Sequence, residues 1–296
     1  MKKLLLFFVG LSALFTGCQK VVDAKELLNT EEQIFIVSYI SPQDTVLRVN
    51  VSRALPAIGT PLSAFDYEAN RNLFLIKDAQ VLLSDASGNT AQLFYSDSLD
   101  TYLANANSLA ILSEQTYYLE VTADTKTFSA SCTIPKKVET INERIIYKED
   151  MYGGSEAEIT LSFEDIKGTD NFYVLGAIAT NTIVYEDYEP ETYTYPLYFD
   201  SDEFLTDNLE DGGVLSGTTY TFFSTDANVL DHKVTLQVAN VEESLYQNLR
   251  TSATNLDSDG NPFVEYAIAP NTFSEDGVIG VFAGYQLTKK EVQFED

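Results

Sequence analysis

The chain has 296 residues, 45 acidic side chains against 18 basic ones, one histidine, no tryptophan and a formal net charge of −27. Such a surface repels nucleic acid and bare anionic lipid headgroups, so both are excluded as charge-driven partners. With 45% hydrophobic residues, including 18 Tyr and 18 Phe, the composition is that of packed cores and not of a disordered polyanion.

Residues 1–17 read as an export signal: Lys2 and Lys3 at the start, an apolar run from Leu4 to Phe15, then Thr16-Gly17. The run falls short of the roughly 20 apolar residues of a spanning helix. Small-small-Cys after such a run is the bacterial lipobox pattern, which makes Cys18 the site of lipidation and the first mature residue. The alternative is an ordinary signal cleaved near Gly17. If Cys18 carries lipid, Cys132 has no partner and no intramolecular disulfide forms.

Residues 18–32 are predicted as a lipid-anchored tether. Next, IFIVSYI (34–40) and TVLRVNVS (45–52) read as strands joined by a Pro42/Asp44 turn, and 53–73 reads as a long loop. Hairpins follow in DAQVLLSDASGNTAQLFY and TYYLEVTADTKTFSASCTIP. In the second, Phe128, Ala130, Cys132 and Ile134 alternate with polar residues, which places the thiol on a buried strand face. About seven short strands at this spacing predict an immunoglobulin-like β-sandwich over residues 33–137.

Residues 138–296 are predicted as a second β-rich domain, with strands such as NFYVLGAIATNTIVYED, HKVTLQVA, FVEYAIA, GVIGVFAGYQLT and KKEVQF. One segment changes period: Val241, Leu245, Leu249, Ala253 and Leu256 form a helical stripe, so a packed helix is predicted near 241–256, with Asn240 and Glu243 as a capping box. The fold class is therefore mainly β, with one packed α-helix in the second domain.

Candidate chemistry is sparse. His232 stands alone and reads as an exposed turn residue; no nucleophile-elbow, phosphate-loop or zinc-protease spacing occurs. A carboxylate-based hydrolase needs two acids about 5 to 10 Å apart, and no pair is singled out. Asp257, Asp259 and Asn261 offer oxygen ligands at alternate positions, as calcium loops do, although Pro262 stands where an EF-hand needs glycine; a polar turn after the helix is the plainer reading. The acidic run with Asp200, Asp202, Glu203, Asp207, Glu210 and Asp211 reads as a solvated loop. Tyr193, Tyr195, Leu197 and Phe199 share one strand face and are expected in a core, while Tyr185 and Tyr188 sit on an acidic loop suited to a protein partner.

The TGC lipobox, KDAQVLLSDASGN, TYYLEVTADTKTFSASCTIP, VEESLYQNL and the ending PNTFSEDGVIGVFAGY resemble, in order, a family of Bacteroidetes outer-membrane lipoproteins. Its members carry a domain of unknown function and are commonly encoded beside TonB-dependent receptors. The tail departs from the family in carrying Ser274-Glu275-Asp276-Gly277 where a more glycine-rich turn is usual. The resemblance implies a non-enzymatic accessory role at a TonB-dependent nutrient transporter in the outer membrane, as a capture module or lid. It implies no catalytic residues, and no cofactor is expected beyond the lipid, calcium aside. A structural or adhesive surface protein is the alternative from another class.

Overall fold

A computed structural model of the chain describes residues 32–55, 62–149, 155–184, 188–200, 203–208, 210–223, 229–257 and 267–294. The export segment, Cys18, the rest of the tether through residue 31, Tyr185, Asp259 and Asn261 lie outside the described residues. Among the described residues no helix is long and apolar enough to cross a membrane.

The first unit comprises β1 (Gln33–Ile40), β2 (Val46–Ala54), β3 (Gln80–Asp85), β4 (Thr90–Ser96), β5 (Thr101–Asn105), β6 (Thr116–Ala123) and β7 (Lys126–Thr133). Period-2 alternation sends Ile34, Ile36, Leu47, Val49, Leu119 and Val121 into one core, as a half-buried strand requires. The strand order is β1-β2-β5-β4 and then β3-β6-β7, with the β3–β4 hairpin joining the two runs. Lettered A to G in chain order, this is the ABED and CFG arrangement of an immunoglobulin-like sandwich. Tyr117, at the start of β6, supplies the corner tie of that fold: its hydroxyl donates to Ala110 O at 2.8 Å and accepts from Leu112 N at 2.7 Å. Cys132 is buried on β7. Burial, with Glu242 nearby, pushes its thiol well above the ordinary cysteine range, so no reactive thiolate forms there.

The stretch expected to be a long loop contains a short helix, α1 (Tyr67–Phe74). Asp66 caps it, accepting from Ala69 N at 2.9 Å. None of its residues is buried, so no apolar stripe announces it in the sequence.

The second unit faces a three-stranded layer, β13 (Val214–Phe223), β9 (Ser155–Glu164) and β8 (Asn142–Glu149), against β10 (Phe172–Ile183) and β14 (Val229–Val241). β11 (Glu191–Leu197) and the short β12 (Phe204–Thr206) pair with β10. Ile159, Leu161 and Phe163 meet Leu175, Leu236 and Val238 in its core. The predicted helix is α2 (Glu243–Asp257), which buries Leu245 and Tyr246; each such side chain contributes about 2 kcal/mol. Its start differs from expectation. Asn240 is not a cap but a buried residue of β14, whose amide donates to Lys136 O and Asn171 Oδ1.

The two units share β15 (Val278–Phe294), where the sequence suggested two separate strands. Residues 278–284 run parallel to β1, and residues 285–294 run antiparallel to β14. Phe282 enters the first core, Val292 and Phe294 the second, and Val281 and Ala283 the layer under α2. This strand therefore crosses the division drawn at residue 137. Of the predicted strand FVEYAIA, residues 263–266 lie outside the described residues, and 267–269 carry no strand.

The passage between units is pinned by side chains of β14, β15 and their junction with α2. Gln286 donates to Pro135 O at 2.6 Å and Thr288 to Val138 O at 2.5 Å. The Glu242 carboxylate accepts from Thr133 N at 2.6 Å and Gly284 N at 2.7 Å, tying the end of β7 to the middle of β15.

Candidate functional site: a cleft at the junction

The β1–β2 turn, β14, β15 and the first turns of α2 enclose a cleft of about 580 Å³. That volume is in the usual range for small-ligand sites, which favour such junctions. Alternation builds its polar side. Leu47 and Val49 point into the first core, so Arg48 between them points outward and lines the cleft. Val174, Ala239, Val241, Leu245 and Leu249 form its apolar wall.

Asp44 and Tyr285 meet at this wall. Tyr285 Oη donates to Asp44 Oδ1 at 2.8 Å, and Ser41 N donates to Asp44 Oδ2 at 2.8 Å. Burial raises the Asp44 carboxyl above its ordinary range against those two hydrogen bonds. Burial, then the Asp44 charge, pushes the Tyr285 phenol up and keeps it a hydrogen-bond donor at neutral pH. Tyr39 donates to Asn248 on α2 at 3.1 Å. Arg48 makes no side-chain hydrogen bond or ion pair among the described residues, in a chain where acids far outnumber bases. An apolar wall with an uncommitted guanidinium can hold a small molecule that has an apolar body and an anionic group.

The residues singled out in the sequence do not converge here. Tyr188, in the connection between β10 and β11, is 73% exposed. Tyr193 and Tyr195, expected in a core, are 44% and 37% exposed on β11, and only Phe199 of that face is buried. The reason is that β11 is the edge strand of its sheet, and its residues from Glu191 to Pro196 are all exposed. Asp257 is the last residue of α2.

The acidic loop is more ordered than its charge suggested. Asp207 and Asp211 approach buried Asp165, with ligand atoms all within 4.8 Å of one another. Each oxygen set already has work in tying loops: Asp165 accepts from Tyr173 Oη and Gly212 N, Asp207 from Asn171 N, and Asp211 from Gly168 N. Asp165 has no marker in the sequence.

His232, expected in an exposed turn, is buried in β14. Its ring contacts Asn181 and Thr221 and lies edge-on to Phe294 at 5.1 Å. Burial lowers its pKa below 6.5, with Asp231 opposing. The unfolded chain therefore takes up a proton at higher pH than the folded one, and stability falls as pH drops below about 6.5. The melting temperature of the wild type should drop more between pH ~7.5 and ~5.5 than that of His232→Gln. Equal slopes would contradict this role.

The fold and its cleft define a mainly β protein of two sandwich-like units that share the strand β15 and line a ligand-sized site between them. Residues 20–291 match the model described as Domain of unknown function (DUF4249), and the chain belongs to that family. A search of curated proteins returned no match.

Proposed function

We propose that the protein is a non-catalytic outer-membrane lipoprotein, anchored through Cys18, that captures a small apolar anion in the junction cleft beside a TonB-dependent receptor. The observation that carries the binding role is the uncommitted Arg48 at an apolar wall of ligand size. The lipobox and the ordered resemblance support the setting. Substrate-capture or lid action fits a site lined by both units.

Two measurements test this. Purification in mild detergent should bring down a large TonB-dependent barrel, and repeated absence of such a barrel sinks the partnership. The cleft is probed with anilinonaphthalene sulfonate, an apolar ring system bearing one anion. Arg48→Glu should weaken its binding roughly ten-fold, the loss of one charge-assisted contact, while the melting temperature stays put. Equal binding by the variant removes Arg48 from the site.

The second reading, an adhesive or structural surface protein, is favoured by the open tyrosine face of β11. Tyr193→Ser with Tyr195→Ser should abolish adhesion on that reading and leave sulfonate binding unchanged.

A further inference from the structure

The described chain begins at Glu32, at the same end of the first sandwich as the loop before α1 and the 97–100 and 124–125 turns. Gln33 pairs with Ala54 where β2 ends, and Arg53 forms ion pairs with Glu32 and Asp124. Arg71 of α1 pairs with Asp100 of the β4–β5 turn. These contacts hold Glu32, α1 and both turns together at one tip.

That tip is apolar where it faces outward. Phe65 is 94% exposed, and Leu62, Tyr67, Leu73 and Leu99 stand exposed around it. No residue of α1 is buried, so these side chains do not serve the core. Part of the neighbouring charge is paired, Arg53 with Glu32 and Asp124, Arg71 with Asp100, and Lys77 with Asp97 at 3.3 Å, while the exposed Asp66 and Glu68 leave the rim net acidic. An exposed apolar cluster rimmed by polar and charged residues is the surface expected of a contact with another apolar phase.

We infer that this tip rests in the interfacial region of a lipid bilayer, with Phe65, Leu62 and Leu99 inserted and Tyr67 at headgroup level. The inference rests on the lipid-anchored reading for its setting. Residues 18–31 span at most about 50 Å when extended, and they enter the fold at this tip and not at the junction end. Aromatic and leucine side chains are the residue types that settle at that depth. The anchor would supply attachment and the tip orientation, which turns the junction cleft away from the bilayer.

The test uses the chain from residue 18 onward, which retains every described contact. Its Cys18 thiol is coupled chemically to a maleimide lipid in phosphatidylcholine vesicles; Cys132, being buried, does not compete. Because the protein lacks tryptophan, Phe65→Trp and Leu112→Trp each give a single reporter. Leu112 is exposed beside the start of β6, at the opposite end of the sandwich.

The expected result is blue-shifted emission for Phe65→Trp and quenching by spin-labelled acyl chains roughly three-fold stronger than for Leu112→Trp. Adding Leu62→Asp and Leu99→Asp should return the Phe65→Trp signal to that of water. Equal behaviour of the two reporters overturns the inference. So does a blue shift without lipid that grows with protein concentration, which would assign the tip to a second copy of the chain. Failure of the anchor reading is seen separately, as absence of palmitate on Cys18 in cells, and leaves this chemically coupled result untouched.

Discussion

Gly280→Ala is expected to be among the most damaging single-methyl additions in the protein. Gly280 has φ +152, and a Cβ there would lie 1.8 Å from Ile36 O, in the strand with which it is in register. Its own N–H donates to Asn271 Oδ1 at 3.1 Å and its carbonyl accepts from Thr272 N at 3.1 Å, so the turn that places Phe273 in the core hangs on this residue. Neither side can retreat without breaking the parallel pair or the turn. Strained backbone and overpacking each cost about 1–3 kcal/mol, so a loss of roughly 4 kcal/mol is expected. Thermal unfolding followed by circular dichroism should show a drop of about 10 °C. A variant that melts with the wild type would mean that β15 does not approach β1 so closely.

Glu242→Ala should rank second, and its effect should be local as well as global. The carboxylate accepts from Thr133 N and is the one side-chain acceptor for that amide among the described residues, and it also takes Gly284 N. Burial raises its pKa and the two amides oppose that, so holding the charge here has a cost that the hydrogen bonds offset. Removing it orphans two amides at about 1–3 kcal/mol each, partly relieved by water; a loss of about 2 kcal/mol is expected. The local readout is trypsin. Lys136 and Lys137 lie in the passage whose carbonyls are held by Gln286, Asn240 and Thr288. Cleavage there should be slow in the wild type and several-fold faster in Glu242→Ala. Unchanged cleavage would mean that Glu242 does not hold the units together.

Most strands were legible because alternation is a local property. IFIVSYI and TVLRVNVS carry it openly, and the order of short strands pointed to the immunoglobulin-like arrangement that the pairings display. What alternation cannot say is whether a face is covered. Tyr193 and Tyr195 do share a face, but β11 is an edge, and the rings meet solvent. His232 erred in the other direction: a polar residue beside Asp231 looks like a turn until β14 is seen to begin at Val229. α1 escaped notice because a helix that buries nothing has no stripe.

The candidate cleft was invisible for a different reason. Asp44, Arg48, Leu245 and Tyr285 come from three distant segments, and only pairing between β1 and β15 brings them together. Parallel pairing over such a separation leaves no periodic trace; the glycine at 280 is its one local sign, and it reads equally well as a bend. Cys18 and the tether, by contrast, were read from a motif alone and lie outside the described residues.

The shared strand has a consequence for the order of events in the life of the chain. The first sandwich cannot seal its β1 edge until residues 278–284 exist and are free to dock, and Phe273 of the same core comes just before them, although its other strands are complete by residue 134. Emerging from a ribosome amino end first, the nascent polypeptide would wait for residues 278–284 before locking this sandwich. Such late closure makes β15, far along the chain from its partner β1, the timer for both units.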